Sequence, residues 1–497
     1  MDLLTPGLAI VSLVVFVQAL FALYLMLYAW EHPERLEPNR GPREFLPPRT
    51  SFTALLPARG EERVIFDTVL RVRDALYPAE LLEIVVICHE EDHATINEVK
   101  RAIDHLGPLS VRLALFGGAT VNKPRALNVG LAASRHDVVT VFDAEDDIDP
   151  DIFNVVNTVM VQEDVGIVQA GVQLMNMNDR WFSVHNCLEY FFWFKSRLHF
   201  HARAGMIPLG GNTVFVRRAL VLKVGGWDEA CLTEDADIGL RLSTLGERIR
   251  VVYDPAHVTR EETPLDVPAL IRQRTRWHQG FLQVLRKGSW VDLPGRRQRL
   301  LALYTFSFPI IQLPLTLLWP LALAAAIFLK VPLLVAMISF LPLYALLFQL
   351  LITIAGALMF GREYGLRTSP LLIARLVVTF VPYQAVLAWS SARAVLREFE
   401  GEVDWEKTEH AGAHRRGRPT LPSTAVPSHA GGAGALGLQL RQTIGLASAE
   451  LPVRESPIAQ ATCQCGAHAS DAARFCRRCG ALRTDNRKRR SRQRRAR

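Results

Sequence analysis

Val138-Val139-Thr140-Val141-Phe142 runs without a break into Asp143-Ala144-Glu145-Asp146-Asp147. The first five residues are apolar or β-branched, the composition of a short buried strand. The next five carry four carboxylates, and acids crowded at the mouth of a strand repel one another and resist ionisation. A divalent cation such as Mg2+ or Mn2+ would relieve that repulsion, since hard cations take carboxylate oxygens together with substrate phosphates. A solvated acidic turn would carry the same composition.

The surroundings of this stretch predict the fold class. Phe52–Leu56, Ile84–Cys88, Val111–Phe116 and Gly166–Ala170 are further short apolar runs, and helical periodicity separates several of them, as over Glu61–Leu76 and Thr95–Leu106. Such alternation implies an α/β domain with a mostly parallel sheet over residues 50–295, whose ligands bind at the carboxyl ends of the strands. Chemistry-bearing residues follow those ends: Pro57-Ala58-Arg59-Gly60-Glu61 after the first strand, His89-Glu90-Glu91-Asp92 after the second, and the acidic run after the fourth. Lys123, at the head of the helix leading to the acidic strand, has the reach to meet a diphosphate as a point charge, or is an ordinary exposed lysine.

Three further segments stand out. Leu209-Gly210-Gly211-Asn212-Thr213 predicts a tight turn before Val214–Val216. Thr233-Glu234-Asp235 heads the helical pattern Ala236–Leu245, where a cap and two dipole-favoured acids would account for it without catalysis. Gln273-Arg274-Thr275-Arg276-Trp277 sits on a basic, aromatic helix that would also suit a membrane interface.

Residues 7–30 form an apolar run long enough to cross ~30 Å of hydrocarbon. It lacks the basic start and small-residue cleavage site of a signal peptide, so an uncleaved anchor is expected, with the arginines after it (Arg35, Arg40, Arg43, Arg49) on the cytosolic side. Residues 300–392 hold three more apolar stretches, Leu300–Leu329, Pro332–Phe360 and Pro370–Ser391, the first interrupted by Pro309, Pro314 and Pro320. Part of that first stretch is expected to lie along the interface, giving an even number of crossings after the domain.

The charge is uneven. From Ala411 onward there are 17 Lys/Arg and 4 Asp/Glu, which exceeds the whole net charge of +8, so the body of this 497-residue chain is acidic. No nucleic-acid partner is expected. The 49% hydrophobic fraction excludes general disorder, and seven cysteines in this length exclude a disulfide-stapled scaffold.

In order and spacing, Asp143-Ala144-Glu145-Asp146, Thr233-Glu234-Asp235 and the Q-x-x-R-W pattern Gln273–Trp277 resemble the membrane-embedded branch of glycosyltransferase family 2, the cellulose and hyaluronan synthases, over residues 50–410. The resemblance implies a cytosolic GT-A domain set between transmembrane helices and using a nucleotide-diphosphate sugar, a UDP-sugar first, with Mg2+ or Mn2+. It implies Asp143, with Glu145 and Asp146, as metal ligands and Asp235 as the base that takes the proton of the acceptor hydroxyl. Donor binding would fall to Pro57, Arg59, Glu61, Glu91, Lys123, Asp143 and Arg276. Acceptor binding would fall to Gly211, Asn212, Glu234, Gln273 and Trp277. Glu145 stands where the family usually has Asp, and the Glu91-Asp92 turn departs from the usual acidic-Gly-Ser pattern. Residues 393–411, with Trp405–His410, resemble a gating segment.

Residues 412–461 read as a flexible linker. In residues 462–481, Cys463, Cys465, Cys476 and Cys479 pair as C-x-C and C-x-x-C, each closing on Gly, like a zinc ribbon (Zn2+, four thiolates), with His468 as an alternative ligand and reactive or disulfide-bonded thiols as the other reading. The basic tail 482–497 would bind anionic lipid or a partner protein. The expected function is inverting sugar transfer at the inner (plasma) membrane by a multi-pass protein with a growing glycan or a lipid as acceptor. Processive polysaccharide synthesis comes first. Single addition to a glycolipid and a non-catalytic membrane scaffold are the alternatives.

Overall fold

The computed structural model describes residues 4–31, 40–107, 111–402, 461–462 and 468–469. The chain divides into two units, Met1–Arg416 and Gly417–Arg497. In the second, the described residues form one antiparallel pair of two-residue strands, Ala461–Thr462 and His468–Ala469. The four tail cysteines, Trp405–His410, the linker and the basic tail lie outside the described residues.

The first unit opens with helix α1 (Leu4–Glu31). Strand β1 (Phe52–Ala58), helix α2 (Ile65–Arg73), β2 (Leu82–His89), α3 (His93–Leu106), β3 (Val111–Phe116), α4 (Lys123–Ala133) and β4 (Val138–Val141) then alternate as the periodicity predicts. They continue through α5 (Ile152–Glu163), β5 (Ile167–Ala170), β6 (Val172–Leu174) and α6 (Ser183–Phe192), a π-helical turn over Trp193–Arg197, and α7 (Leu198–Ala204). After β7 (Val214–Arg217) come α8 (Arg218–Lys223), α9 (Glu234–Ser243), β8 (Ile249–Val252), β9 (Thr259–Glu261) and the Q-x-x-R-W helix α10 (Val267–Lys287). Three long helices complete the unit: α11 (Arg296–Phe328), α12 (Leu333–Glu363) and α13 (Pro370–Glu400).

The main sheet has seven strands in the order β3-β2-β1-β4-β7-β5-β8. β1, β2, β3 and β4 are mutually parallel, while β7 runs antiparallel between β4 and β5. The chain moves outward from β1 to β3 and returns to place β4 on the other side of β1. That reversal is the switch point at which open α/β sheets bind ligands. Pro57 is tolerated in this central strand because it lies beyond the last residue paired to β4, Leu55 opposite Val141.

Alternate residues of the strands feed two cores. Phe52, Ala54 and Leu56 pack on one face with Phe153 and Phe215, whereas Leu55, Val85, Ile87 and Val141 pack on the other with Phe191. The second core continues into the long helices through Ile352, Phe360 and Leu376, so the domain and its helical base share one apolar interior.

Among the described residues, three helices are long and apolar enough to cross a membrane: Thr5–Trp30, Leu333–Glu363 and Pro370–Glu400. The expected interruption of Leu300–Leu329 does not occur, since α11 is one helix of 33 residues. A proline removes a single N–H, but breaking the helix in apolar surroundings would strand several more polar groups.

α13 is bonded to the domain along its whole length. Arg375 donates to the carbonyls of Met177 and Asn178 near its start. Thr379 meets His185 at 2.8 Å, and Tyr383 donates to Glu189 at 2.7 Å. Ser391 pairs with His278, and Arg397 donates to Gln279 near the end. Leu371, Val378, Trp389 and Phe399 point away from those contacts and are exposed.

Candidate active site

A cavity of roughly 750 Å3 opens at the switch point and extends between the long helices. It is lined by Pro57, Arg59, Glu61, Lys123, Asp143, Glu145, Gly211, Asn212, Glu234, Asp235, Gln273, Arg276 and Trp277, which brings together segments that are more than two hundred residues apart. Glu91 and Asp146, expected beside them, are not on its wall.

The floor comes from the ends of β1 and β4. After Ala58 the chain turns at Gly60, whose φ is 62°, and its N–H donates to Asp92 Oδ2 at 2.6 Å. Asp92 also caps α3, so this turn is tied to the end of β2. Arg59 donates to the Val121 carbonyl. Glu91 points away, its side chain 86% exposed, with His89 as its ion-pair neighbour. It therefore stands outside the expected donor cluster.

Asp143 faces the cavity and is paired with Lys123, whose Nζ also donates to the Gly211 carbonyl at 3.0 Å and lies 4.0 Å from Glu234. Burial works against the lysine's charge, but Asp143, Glu234 and Asp235 outweigh it and hold its pKa raised. Asp146 turns inward. Fully buried, it accepts from the Asp143 N–H at 2.8 Å, and both its oxygens accept from Asn212 Nδ2 at 2.9 Å. Burial, with the charges of Glu261, Asp143 and Glu145, raises its pKa well above the usual carboxylate range. Asp146 thus shapes the acidic turn from behind, while Asp143 and Glu145 present oxygen to the cavity.

The opposite wall is the Leu209–Thr213 turn and the start of α9. Thr213 adopts φ 49°, a left-handed conformation rare for a β-branched residue. Its N–H donates to the Val141 carbonyl and its hydroxyl bonds Thr259, contacts that hold the strained turn against the sheet. Glu234 is buried and Asp235 half-buried at the head of α9. Burial and the Asp235 charge push Glu234 up to about 7 against the pull of Lys123 and Arg276. Burial likewise raises Asp235, opposed by the Ala236 N–H, Lys123 and Arg276. Gly280 of α10 lets that helix press on the loop: a Cβ there would lie 2.4 Å from Thr233 Oγ1.

On α10, the Arg274 guanidinium lies 4.3 Å from the Trp277 ring centroid, and Tyr190 flanks the same indole at 6.2 Å. Arg274 donates to Glu189 Oε2 at 2.5 Å, the oxygen that also accepts from Tyr383. Glu189, Tyr190, Arg274, Tyr383 and Glu261 all line the cavity, yet no sequence signal marked them. Glu261 accepts from Asn212 and ends an unremarkable three-residue strand. The long helices add one glutamine each, Gln18, Gln312, Gln349 and Gln384. An amide within an apolar run is a signal the sequence did offer.

Hard oxygen donors at the end of a parallel strand, a fixed cation beside them, and a buried carboxylate across the gap make a site for moving a group off a diphosphate. Fold and site together define a glycosyltransferase domain of the GT-A type. Residues 47–280 match the family model described as glycosyltransferase like family 2. The chain is 28% identical over 286 residues to the probable glycosyltransferase YdaM of Bacillus subtilis, covering 55% of this chain and 65% of that protein. It is 29% identical over 231 residues to the beta-monoglucosyldiacylglycerol synthase of Trichormus variabilis, covering 46% of this chain and 48% of that protein. The matches thus span about half to two thirds of these relatives. In fold it is similar to the mannosyltransferase PcManGT of Pyrobaculum calidifontis, solved with GDP-Man and Mn2+, at a TM-score of 0.52 and 19% identity over 80% of this chain and 99% of that one.

Proposed function

We propose that the protein is a membrane-bound inverting glycosyltransferase that moves a sugar from a nucleotide-diphosphate donor to a hydroxyl presented in the cavity. The observation that carries this reading is the convergence of Asp143, Glu145, Lys123, Arg276 and the half-buried Asp235 on one cavity. Asp143 and Glu145 suit Mg2+ or Mn2+, being carboxylates with oxygens on the cavity wall. When bound, the cation would neutralise charge that builds on the leaving diphosphate. Lys123 and Arg276 supply fixed positive charge to the same group. Asp235 accepts the proton of the attacking hydroxyl, and burial keeps its basicity high. Trp277, backed by the Arg274 guanidinium, offers an indole face to an acceptor sugar. The fold relative crystallised with GDP-Man and Mn2+ supports this use of the site.

The domain lies on the cytosolic side in this reading. α1, α11 and α12 cross the bilayer, and α13 lies along its surface, because α13 is bonded to the domain from Arg375 to Arg397 while its far side stays apolar. Two crossings after the domain return the chain to the cytosol, the even number expected, with the interfacial helix at Pro370–Glu400 instead of within Leu300–Leu329.

Processive synthesis of a polysaccharide is supported by the four glutamines that line the cavity between the long helices, since amides in hydrocarbon suit a hydroxyl-rich guest. A single addition to a lipid is the second reading, favoured by the similarity to a diacylglycerol glucosyltransferase. The test is transfer from labelled UDP- and GDP-sugars by protein in lipid, with Mn2+ or EDTA, products separated by size. A long metal-dependent product supports the first reading, and one discrete glycolipid supports the second. Transfer that survives Asp235→Asn would overturn the assigned base.

A further inference from the structure

A second cavity, of about 550 Å3, lies apart from the sugar-transfer site where the domain meets the ends of two long helices. Its wall holds four cations, Arg40, Arg43, Lys195 and Arg250, and three carboxylates, Glu163, Asp254 and Glu363. Arg250 pairs with Glu163 at 3.1 Å, and Lys195 pairs with Glu363, the last residue of α12. Arg40 and Arg43, both exposed, stand at the rim, in the segment that follows α1.

We propose that this cavity binds a phosphate-bearing group and that the headgroup of an anionic phospholipid is its occupant. Three observations support the assignment. Cations exceed carboxylates on this wall, and burial, opposed by Glu363 and aided by Arg40, disfavours the charge of Lys195, a cost that an anion relieves. Guanidinium groups offer forked donors to phosphate oxygens. The cavity also adjoins Glu363 at the end of an apolar helix, the level at which lipid headgroups lie.

The position gives the ligand a route to the active site. Lys195 belongs to the π-helical turn Trp193–Arg197, an irregularity that is frequent at functional sites. Its neighbours Trp193, Phe194 and Arg197 line the sugar-transfer cavity. Between them Ser196 fastens the turn to α1, accepting from the Ala29 N–H at 3.0 Å and donating to the Leu25 carbonyl at 2.8 Å. An anion drawn to Lys195 therefore acts on a turn that touches α1, α12 and the wall of the large cavity. This inference does not depend on the proposed reaction.

The experiment compares full-length protein with the double variant Arg40→Gln/Arg43→Gln, both substitutions being of exposed side chains. Each is purified in detergent and titrated with phosphatidylglycerol, with phosphatidylcholine and with inorganic phosphate, reading retained lipid by native mass spectrometry and the midpoint of thermal unfolding. The expected result is retention of phosphatidylglycerol with a raised midpoint, weakened on the order of tenfold in the double variant, and no response to phosphatidylcholine. A midpoint raised by inorganic phosphate alone, and lost in the variant, would keep the site but assign it to a soluble phosphate compound. Equal retention of phosphatidylglycerol by both proteins, or retention by neither, would overturn the proposal. The lipid-free midpoint of the variant serves as the check that it folds.

Discussion

Gly211 faces Asp235 so closely that a Cβ built on the glycine would lie 3.2 Å from the carboxylate Oδ2 and 3.5 Å from Lys123 Nζ. The space above the assigned base is therefore held open by the absence of one methyl group. Gly211→Ala is expected to fold, because its φ is not in the left-handed range. Its transfer rate should fall by roughly tenfold to a hundredfold, as a displaced catalytic group does. A steady-state assay beside a thermal melt separates the two effects, and unchanged turnover would mean that the hydroxyl does not approach along this line.

Glu234 and Asp235 give the reaction a pH dependence of definite sign. Burial raises both, and the Asp235 charge adds to it for Glu234, which reaches about 7, so the pair loses its last proton near neutrality. The base must be ionised to work, and kcat/KM should climb with pH on the acidic side. Stability should move the other way. A carboxyl whose folded pKa is raised holds its proton more tightly when folded, so that contribution is present below the unfolded value and is lost as pH rises through about 7. Glu234→Gln removes one of the two negative charges and should shift the acid limb to lower pH. A limb that stays in place would separate Glu234 from the base.

Chelation should abolish transfer, and Mn2+ or Mg2+ should restore it. Asp143→Asn should reduce the rate by about a hundredfold or more at saturating metal, through loss of a ligand and of the partner that fixes Lys123. Asp146→Asn should behave differently. Asp146 is buried, with its oxygens committed to Asn212 and the Asp143 N–H, so the substitution should lower the unfolding midpoint and leave the metal concentration for half-activity nearly unchanged. A large shift in metal requirement for Asp146→Asn would show that it ligates.

That contrast marks where the sequence stops being informative. The strand-then-acid pattern of Val138–Asp147 was legible because both the strand and its polar exit are local features. So were the α/β alternation, the Thr233–Asp235 helix start and the Gln273–Trp277 helix. Which of four neighbouring carboxylates turns inward was not, because Asn212 decides it from 66 residues away. Glu91 had the right composition and strand end, but its side chain points to solvent. The prolines of α11 suggested a broken helix by a rule learned in water, where freed carbonyls find solvent. The bonds of α13 to residues in α6 and α10 are made by the fold, and apolar composition alone leaves that helix indistinguishable from a crossing one.

Glu189 illustrates the same limit and yields the last prediction. Its Oε2 accepts from Arg274 on α10 and from Tyr383 on α13, 194 residues away. Arg274 in turn covers the Trp277 ring at 4.3 Å. One carboxylate oxygen thus ties α13 to the residue assigned to stack on the acceptor. Glu189→Gln keeps the size but weakens a charge-assisted bond, so Arg274 loses its tether and Trp277 its backing. In the proposed reaction the donor is held by Asp143, Lys123 and Arg276, a set that does not include Glu189. The expected outcome is a rise in acceptor KM on the order of tenfold, with donor KM and metal dependence unchanged. Trp277→Phe should mimic it and add little in the double variant, since both act through one ring. Independent, additive losses would separate Glu189 from Trp277 and leave the carboxylate as a contact of the acceptor in its own right.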